Sequence, residues 1–98
     1  NNLDNYQIGK YGYLRLDYLK KYKRGYYTEL MIEGTLPEHI VAIDKEASVQ
    51  VKNIVKSLAK ANNVDEILKQ SNQFEWIRLM NNFKNSAEEI VLKELIYN

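Results

Sequence analysis

The chain has no cysteine and a single histidine, His39. Disulfide staples and thiolate metal sites are therefore excluded, and one imidazole cannot build a multi-histidine centre. No run approaches the roughly 18–20 consecutive apolar residues of a membrane span, and residues 1–12 hold no apolar stretch of the kind a secretory leader needs. The lack of cysteine fits a reducing compartment, and the expected location is cytoplasmic. Proline occurs once, at Pro37, and glycine four times, at Gly9, Gly12, Gly25 and Gly34. No glycine-rich phosphate loop, no Ser- or Gly-rich linker, no low-complexity tract and no internal repeat is present.

What remains is 98 residues, 45% hydrophobic and 28% charged, enough for one globular domain and too few for two. Residues 1–9 read as a flexible N-terminal arm and residues 10–98 as a single helical domain. The net charge of +1 conceals an uneven distribution. Lys10, Arg15, Lys20, Lys21, Lys23 and Arg24 are opposed between residues 10 and 24 by Asp17 alone. Six cations against one acid give that segment +5 and leave −4 to the rest of the chain, a split that points to a basic patch.

Periodicity and end signals predict helices throughout. Over residues 10–23 a helical wheel puts Tyr11, Leu14, Tyr18, Leu19 and Tyr22 on the side expected to face a core, with Lys10, Tyr13, Asp17, Lys20, Lys21 and Arg24 opposite. Gly25 is placed to end that helix in a left-handed conformation. Residues 26–33 form a short apolar run, helix or strand by periodicity, which Gly34 closes. Thr35-Leu36-Pro37-Glu38 has the spacing of a capping box with proline in the first turn. Behind it Leu36, Ile40, Ile43, Ala47, Val51, Ile54, Leu58 and Ala61 recur at steps of three and four, and Asn62-Asn63 ends the stripe. Asn63-Val64-Asp65-Glu66 matches a second capping box. A last helical region then runs toward Ile96, with Leu68, Trp76, Met80, Phe83, Ala87, Ile90 and Val91 as its apolar face. Ser71-Asn72 is a candidate break in it, and the Ser86-x-x-Glu89 pattern a weaker one. The expected fold is all-α: a small helical bundle of two long antiparallel helices plus one or two short N-terminal ones.

Several segments together carry a family resemblance. They are Ile8-Gly9-Lys10-Tyr11-Gly12, Leu14-Arg15-Leu16-x-Tyr18-Leu19-Lys20, Gly34-Thr35-Leu36, and His39-Ile40-Val41-Ala42-Ile43-Asp44. The C-terminal blocks are Phe74-Glu75-Trp76-Ile77-Arg78-Leu79-Met80-Asn81-Asn82 and Ser86-Ala87-Glu88-Glu89-Ile90-Val91-Leu92-Lys93-Glu94-Leu95-Ile96-Tyr97. From about Ile8 to its end the chain resembles the TnpV family of transposon-encoded proteins. The resemblance implies a gene carried on transposons or integrative conjugative elements of Gram-positive bacteria. Some members are likened to excisionases, small DNA-bending proteins. No catalytic motif is carried over with it.

The residues themselves suggest where a function sits. Between Lys10 and Tyr27 basic residues alternate with Tyr11, Tyr13, Tyr18, Tyr22, Tyr26 and Tyr27. Lysine and arginine neutralise phosphates, and tyrosine stacks on bases or donates to phosphate oxygens. The competing reading is a solvated helix face whose tyrosines belong to the core. With the tyrosines of the apolar side set apart, the candidate nucleic-acid-binding residues are Lys10, Tyr13, Lys20, Lys21, Lys23 and Arg24. A recognition helix at 26–33 is disfavoured, because Glu29 and Glu33 would face phosphate. Glu88 and Glu89 point about 100° apart on a helix and do not converge. No nucleophile–base constellation can be assembled, so neither an enzyme nor a small-molecule substrate, cofactor or metal is expected. Asn81, Asn82 and Asn85 either bond across an interface or face water, and His39 is expected to be exposed. The expected partner is DNA. The alternative is a protein-binding module that acts on a protein partner or forms a homodimer, motivated by the long apolar stripes of the last two helices.

Overall fold

Five α-helices and a terminal π-helical segment make up most of residues 6–98, the part of the chain described by the computed structural model. They are α1 (Lys10–Tyr22), α2 (Arg24–Glu33), α3 (Leu36–Ala61), α4 (Glu66–Ser71), α5 (Gln73–Val91) and the π-helical segment Leu92–Ile96. No strand occurs among the described residues. The fold is all-α, and the apolar run 26–33 is helix.

The helix ends show which residue-level expectations hold. Gly34 adopts φ 74°, ψ 19° and ends α2. Its amide donates to the Met31 carbonyl, and the Thr35 amide to the Leu30 carbonyl, the paired five-to-two and six-to-one bonds of a Schellman end. Gly25 does not play that part. It lies inside α2, and α1 ends instead at Lys23, with φ −129° and ψ 50°. The hydrogen-bond ladder passes through this kink, since the Lys23 amide reaches the Leu19 carbonyl at 3.0 Å and the Tyr27 amide the Lys23 carbonyl at 2.9 Å. No left-handed residue is needed.

The α3 end has a similar shift. Asn63, at φ 57°, is the left-handed residue, with Val64 N donating to the Ala59 carbonyl and Asn63 N to that of Lys60. A residue that terminates one helix this way cannot cap the next. The cap moves to Asp65, whose Oδ1 accepts from the Leu68 amide at 3.0 Å. Asn72 marks the expected break, and its Oδ1 accepts from the Glu75 amide at 3.2 Å. No break occurs at Ser86, because α5 runs through it to Val91.

The chain divides into two compact units, Asn1–Ser48 with Leu92–Asn98, and Val49–Val91, with the division inside α3. In the first, Leu16, Leu19, Leu30, Leu36 and Ile40 form a buried cluster, with Ile8 and Tyr27 packed against it. Burying a leucine or isoleucine side chain stabilises by about 1.5–3 kcal/mol, so these five residues are the main cohesive element there. In the second, Val51, Val64, Ala87 and Val91 are buried, and Trp76, Met80 and Phe83 half-buried. Asn81, Asn82 and Asn85 are exposed and face water.

The inward face of α1 differs in phase from the wheel. Its buried residues are Tyr11, Gly12, Arg15, Leu16 and Leu19. Leu14 and Tyr18 are half-buried, and Tyr22 is 72% exposed. Gly12 explains part of the shift. A Cβ there would lie 2.4 Å from Ile8 Cγ2, 3.1 Å from Asp44 Cβ and 3.2 Å from Ile40 Cγ2, so the absent side chain is what lets α3 approach. Polar frame and apolar cluster share that face, which a wheel drawn from tyrosine and leucine alone does not anticipate.

Candidate nucleic-acid interface

Lys10, Tyr13, Lys20 and Lys21 fall within an arc of about 100° around α1 at the rotation of an ideal helix, and all four are exposed. Lys20 and Arg24 converge. The Lys20 Nζ lies 5.9 Å from the centroid of the Tyr27 ring and the Arg24 Cζ 5.7 Å from it, so one half-buried aromatic holds two cations by their attraction to its face. Lys23 is exposed at the kink between them. Lys10 stands about 15 Å along the axis from Lys20, with its Nζ 5.6 Å from the Tyr11 centroid. Lys21 is different. Its Nζ is 3.1 Å from Asp17 Oδ2, and both side chains are more than half exposed. The hydrogen bond and charge of Asp17 raise Lys21 above the ordinary lysine value. Asp17 lies inside the cationic arc, so it offsets one of the five exposed cations.

The sixth cation of the segment points the other way. Arg15 is buried, at 6% exposure. Its Nε donates to His39 Nε2 at 3.3 Å, and its Nη1 to the Ile96 carbonyl at 3.0 Å and Asn98 Oδ1 at 2.9 Å. All three acceptors are uncharged, and burial lowers Arg15 below the usual guanidinium value. His39, expected at the surface, is half-buried. Burial first, and then the Arg15 charge, lower it below the ordinary imidazole value. The bond from Arg15 requires a neutral ring with its proton on Nδ1. Tyr26 meets the same ring edge-on at 5.6 Å.

A third feature was not legible in the sequence. Tyr18, Tyr22 and Tyr97, with Asp17 and Lys21, line an open cleft of about 350 Å³. The Tyr18 ring is 5.4 Å from that of Tyr22 and 5.4 Å from that of Tyr97, tilted by 36° and 49°. The i, i+4 spacing of Tyr18 and Tyr22 is a signal that sequence provides. Tyr97 has none, because it arrives from 79 residues away through the Arg15 bonds to its two chain neighbours.

Two of the segments that carry the family resemblance, Ile8–Gly12 and His39–Asp44, meet at the start of α1. The Asp44 carboxylate on α3 accepts from the Gly9 amide at 3.0 Å and the Gly12 amide at 2.9 Å. Gly9 is the N-cap of α1 and has no side chain to use there. Asp44 thus satisfies two otherwise unpaired donors at the positive end of α1, the role that a local capping box plays elsewhere. Ahead of α1, Tyr6 Oη donates to Glu38 Oε2 at 3.2 Å and Ile8 packs on the apolar cluster. Residues 1–5 of the expected N-terminal arm lie outside the described residues.

Among the described residues no group of three or more His, Cys, Asp or Glu is placed to hold a metal ion, and no helix is long and apolar enough to cross a membrane. No curated protein and no solved structure matches the chain. A family model described as transposon-encoded protein TnpV matches residues 1–96, and the chain accordingly belongs to the TnpV family of transposon-encoded proteins.

Proposed function

We propose that the chain is a non-enzymatic accessory protein of its mobile element that binds DNA through Lys10, Tyr13, Lys20, Lys21, Lys23 and Arg24. The observation that carries this reading is the convergence of Lys20 and Arg24 on Tyr27 beside the exposed Lys23. It concentrates cationic heads around the α1–α2 kink, where each one that neutralises a phosphate releases counterions. Contacts of this kind position a protein on the duplex and carry no sequence information by themselves. Because Glu29 and Glu33 are exposed on α2, that helix is not assigned to a groove.

The test is fluorescence anisotropy with a labelled duplex from the end of the host element at low salt. Changing Lys20, Lys21, Lys23 and Arg24 together to Ala is expected to weaken binding more than about a hundredfold, since each lost phosphate contact forfeits counterion release. Changing Lys52, Lys56 and Lys60, exposed lysines of α3, leaves it nearly intact. Equal losses in both variants, or no binding by the unaltered protein, would refute the reading.

A second reading, a protein-binding module that forms a homodimer or docks on another protein, has its own observation. Phe74 is 88% and Ile67 77% exposed in the second unit, and Ile32 81% in the first. Contiguous exposed apolar side chains mark association surfaces, and within the second unit Ile67 on α4 and Phe74 at the first turn of α5 are the candidates. Light scattering across a concentration series distinguishes it: a concentration-dependent rise in mass that Phe74→Ser abolishes supports self-association.

A further inference from the structure

We infer that the cleft between Tyr18, Tyr22 and Tyr97 is a stacking site for an unpaired nucleobase, so that single-stranded or distorted DNA is the preferred substrate. This rests on the DNA-binding reading and deepens it. Aromatic side chains with accessible faces beside cations are the recurring chemistry of single-strand binding, because every base has a π-face and a flanking phosphate. Paired bases in a duplex are already stacked and offer neither face.

The three rings are arranged to receive such a base. Tyr18 is half-buried and forms the floor. The Arg15 Cζ lies over this ring, 5.9 Å from its centroid, and the buried guanidinium helps hold it in place. Tyr22 and Tyr97 are the walls, 72% and 45% exposed. Each lies 5.4 Å from Tyr18, and both are tilted rather than closed over it. The opening of about 350 Å³ is large enough for one base. Lys21 stands at the rim to meet the attached phosphate, and Asp17 beside it supplies an acceptor for an exocyclic amino group.

Tyr97 is presented by a device that links the cleft to the frame. Arg15 Nη1 holds the carbonyl of the residue before it and the side chain of the residue after it. The Tyr97 amide closes the π-type bond to the Leu92 carbonyl at 2.8 Å. The main chain that carries the ring is thereby already ordered, which lowers the entropic cost of engaging a ligand.

The experiment measures binding of the full chain to three labelled oligonucleotides of equal length and mixed sequence: a single strand, its duplex, and a single strand with abasic sites at alternate positions. The single strand is expected to bind more tightly than the duplex, and the abasic strand, with the same phosphate charge, about tenfold more weakly than the intact strand. Tyr22→Ala and Tyr97→Ala each lower single-strand affinity about tenfold and leave duplex affinity within twofold, whereas Tyr22→Phe retains the preference. Tyr22 is exposed enough that its loss does not threaten folding, and circular dichroism checks this. Equal affinity for intact and abasic strands, or tyrosine variants that weaken all three ligands alike, would overturn the stacking site while leaving DNA binding standing. Failure to bind any of the three would overturn both.

Discussion

Arg15 donates to the carbonyl of Ile96 across 81 residues of chain, at 3.0 Å and out of contact with solvent. The bond ties α1 to the C-terminal π-helical segment, and through His39 the same guanidinium reaches α3. Replacing Arg15 with Lys keeps the charge but removes the planar fork that serves three acceptors at once. Arg15→Lys is expected to destabilise the fold by about 1–3 kcal/mol, because buried acceptors are left unsatisfied. Urea unfolding of the two proteins measures it.

The partner of that bond gives a pH dependence. His39 has its folded-state value lowered by burial and by Arg15, so the unfolded chain takes up a proton first as pH falls. The stabilisation is complete above the ordinary imidazole value of about 6.5 and is lost as pH drops from there through the lower folded-state value. Unfolding free energy should therefore decrease as pH falls below about 6.5. In His39→Gln that part of the decrease disappears, while the carboxylate contribution at lower pH remains. Chemical denaturation at half-unit intervals tests the difference.

Asp44 and Gly12 form one joint between α1 and α3. Asp44→Ala leaves the Gly9 and Gly12 amides without their carboxylate and is expected to cost about 1–2 kcal/mol, as loss of a helix cap does. Gly12→Ala forces a methyl to within 2.4 Å of Ile8 Cγ2, a cost of about 1–3 kcal/mol by overpacking. Thermal melts of the single and double variants should show losses that do not add, because both act on the same contact.

Gly25 provides the opposite case. It lies within α2 and a Cβ there meets nothing within 4 Å. Gly25→Ala is expected to raise stability by roughly 0.4–1 kcal/mol, because alanine leaves the unfolded chain fewer conformations to lose. A loss instead would mean that the residue terminates α1 in a left-handed conformation.

How much was legible in the sequence depended on the range of the interactions. Ends set by local chemistry were readable: Gly34, Asn62-Asn63 and Ser71-Asn72 stop helices because their own backbone and side chains favour it. Gly25 as the end of α1 and Asn63 as the cap of α4 are not observed, because a breaker near an end can serve either neighbour, and only the ladder decides which. The inward face of α1 was misplaced because its burial depends on partners far along the chain: Asp44, His39, Ile96 and Asn98. Arg15 is the clearest instance. Counted by charge it belongs to a basic patch, and its burial follows from acceptors 24 and 81 residues away. The tyrosines were divided by a wheel whose phase that burial overrides, so Tyr22, assigned to the core, is at the surface, where it lines the cleft.

The charge arrangement on α1 makes Asp17 a revealing position. Its pair with Lys21 is exposed on both sides, so Asp17→Asn should change stability by less than about 0.5 kcal/mol. The same change restores one effective cation to the proposed interface. Duplex affinity is then expected to rise severalfold, with a salt dependence steeper by about one counterion.

The salt dependence of duplex binding bears most directly on the central claim. Five exposed cations, one of them offset by Asp17, correspond to between four and five phosphate contacts. A plot of log affinity against log salt should fall linearly with a slope between about −3.6 and −4.5, and each of Lys20→Ala, Lys23→Ala and Arg24→Ala should reduce its magnitude by about one. A slope near zero, or one unchanged by these three substitutions, would contradict the account.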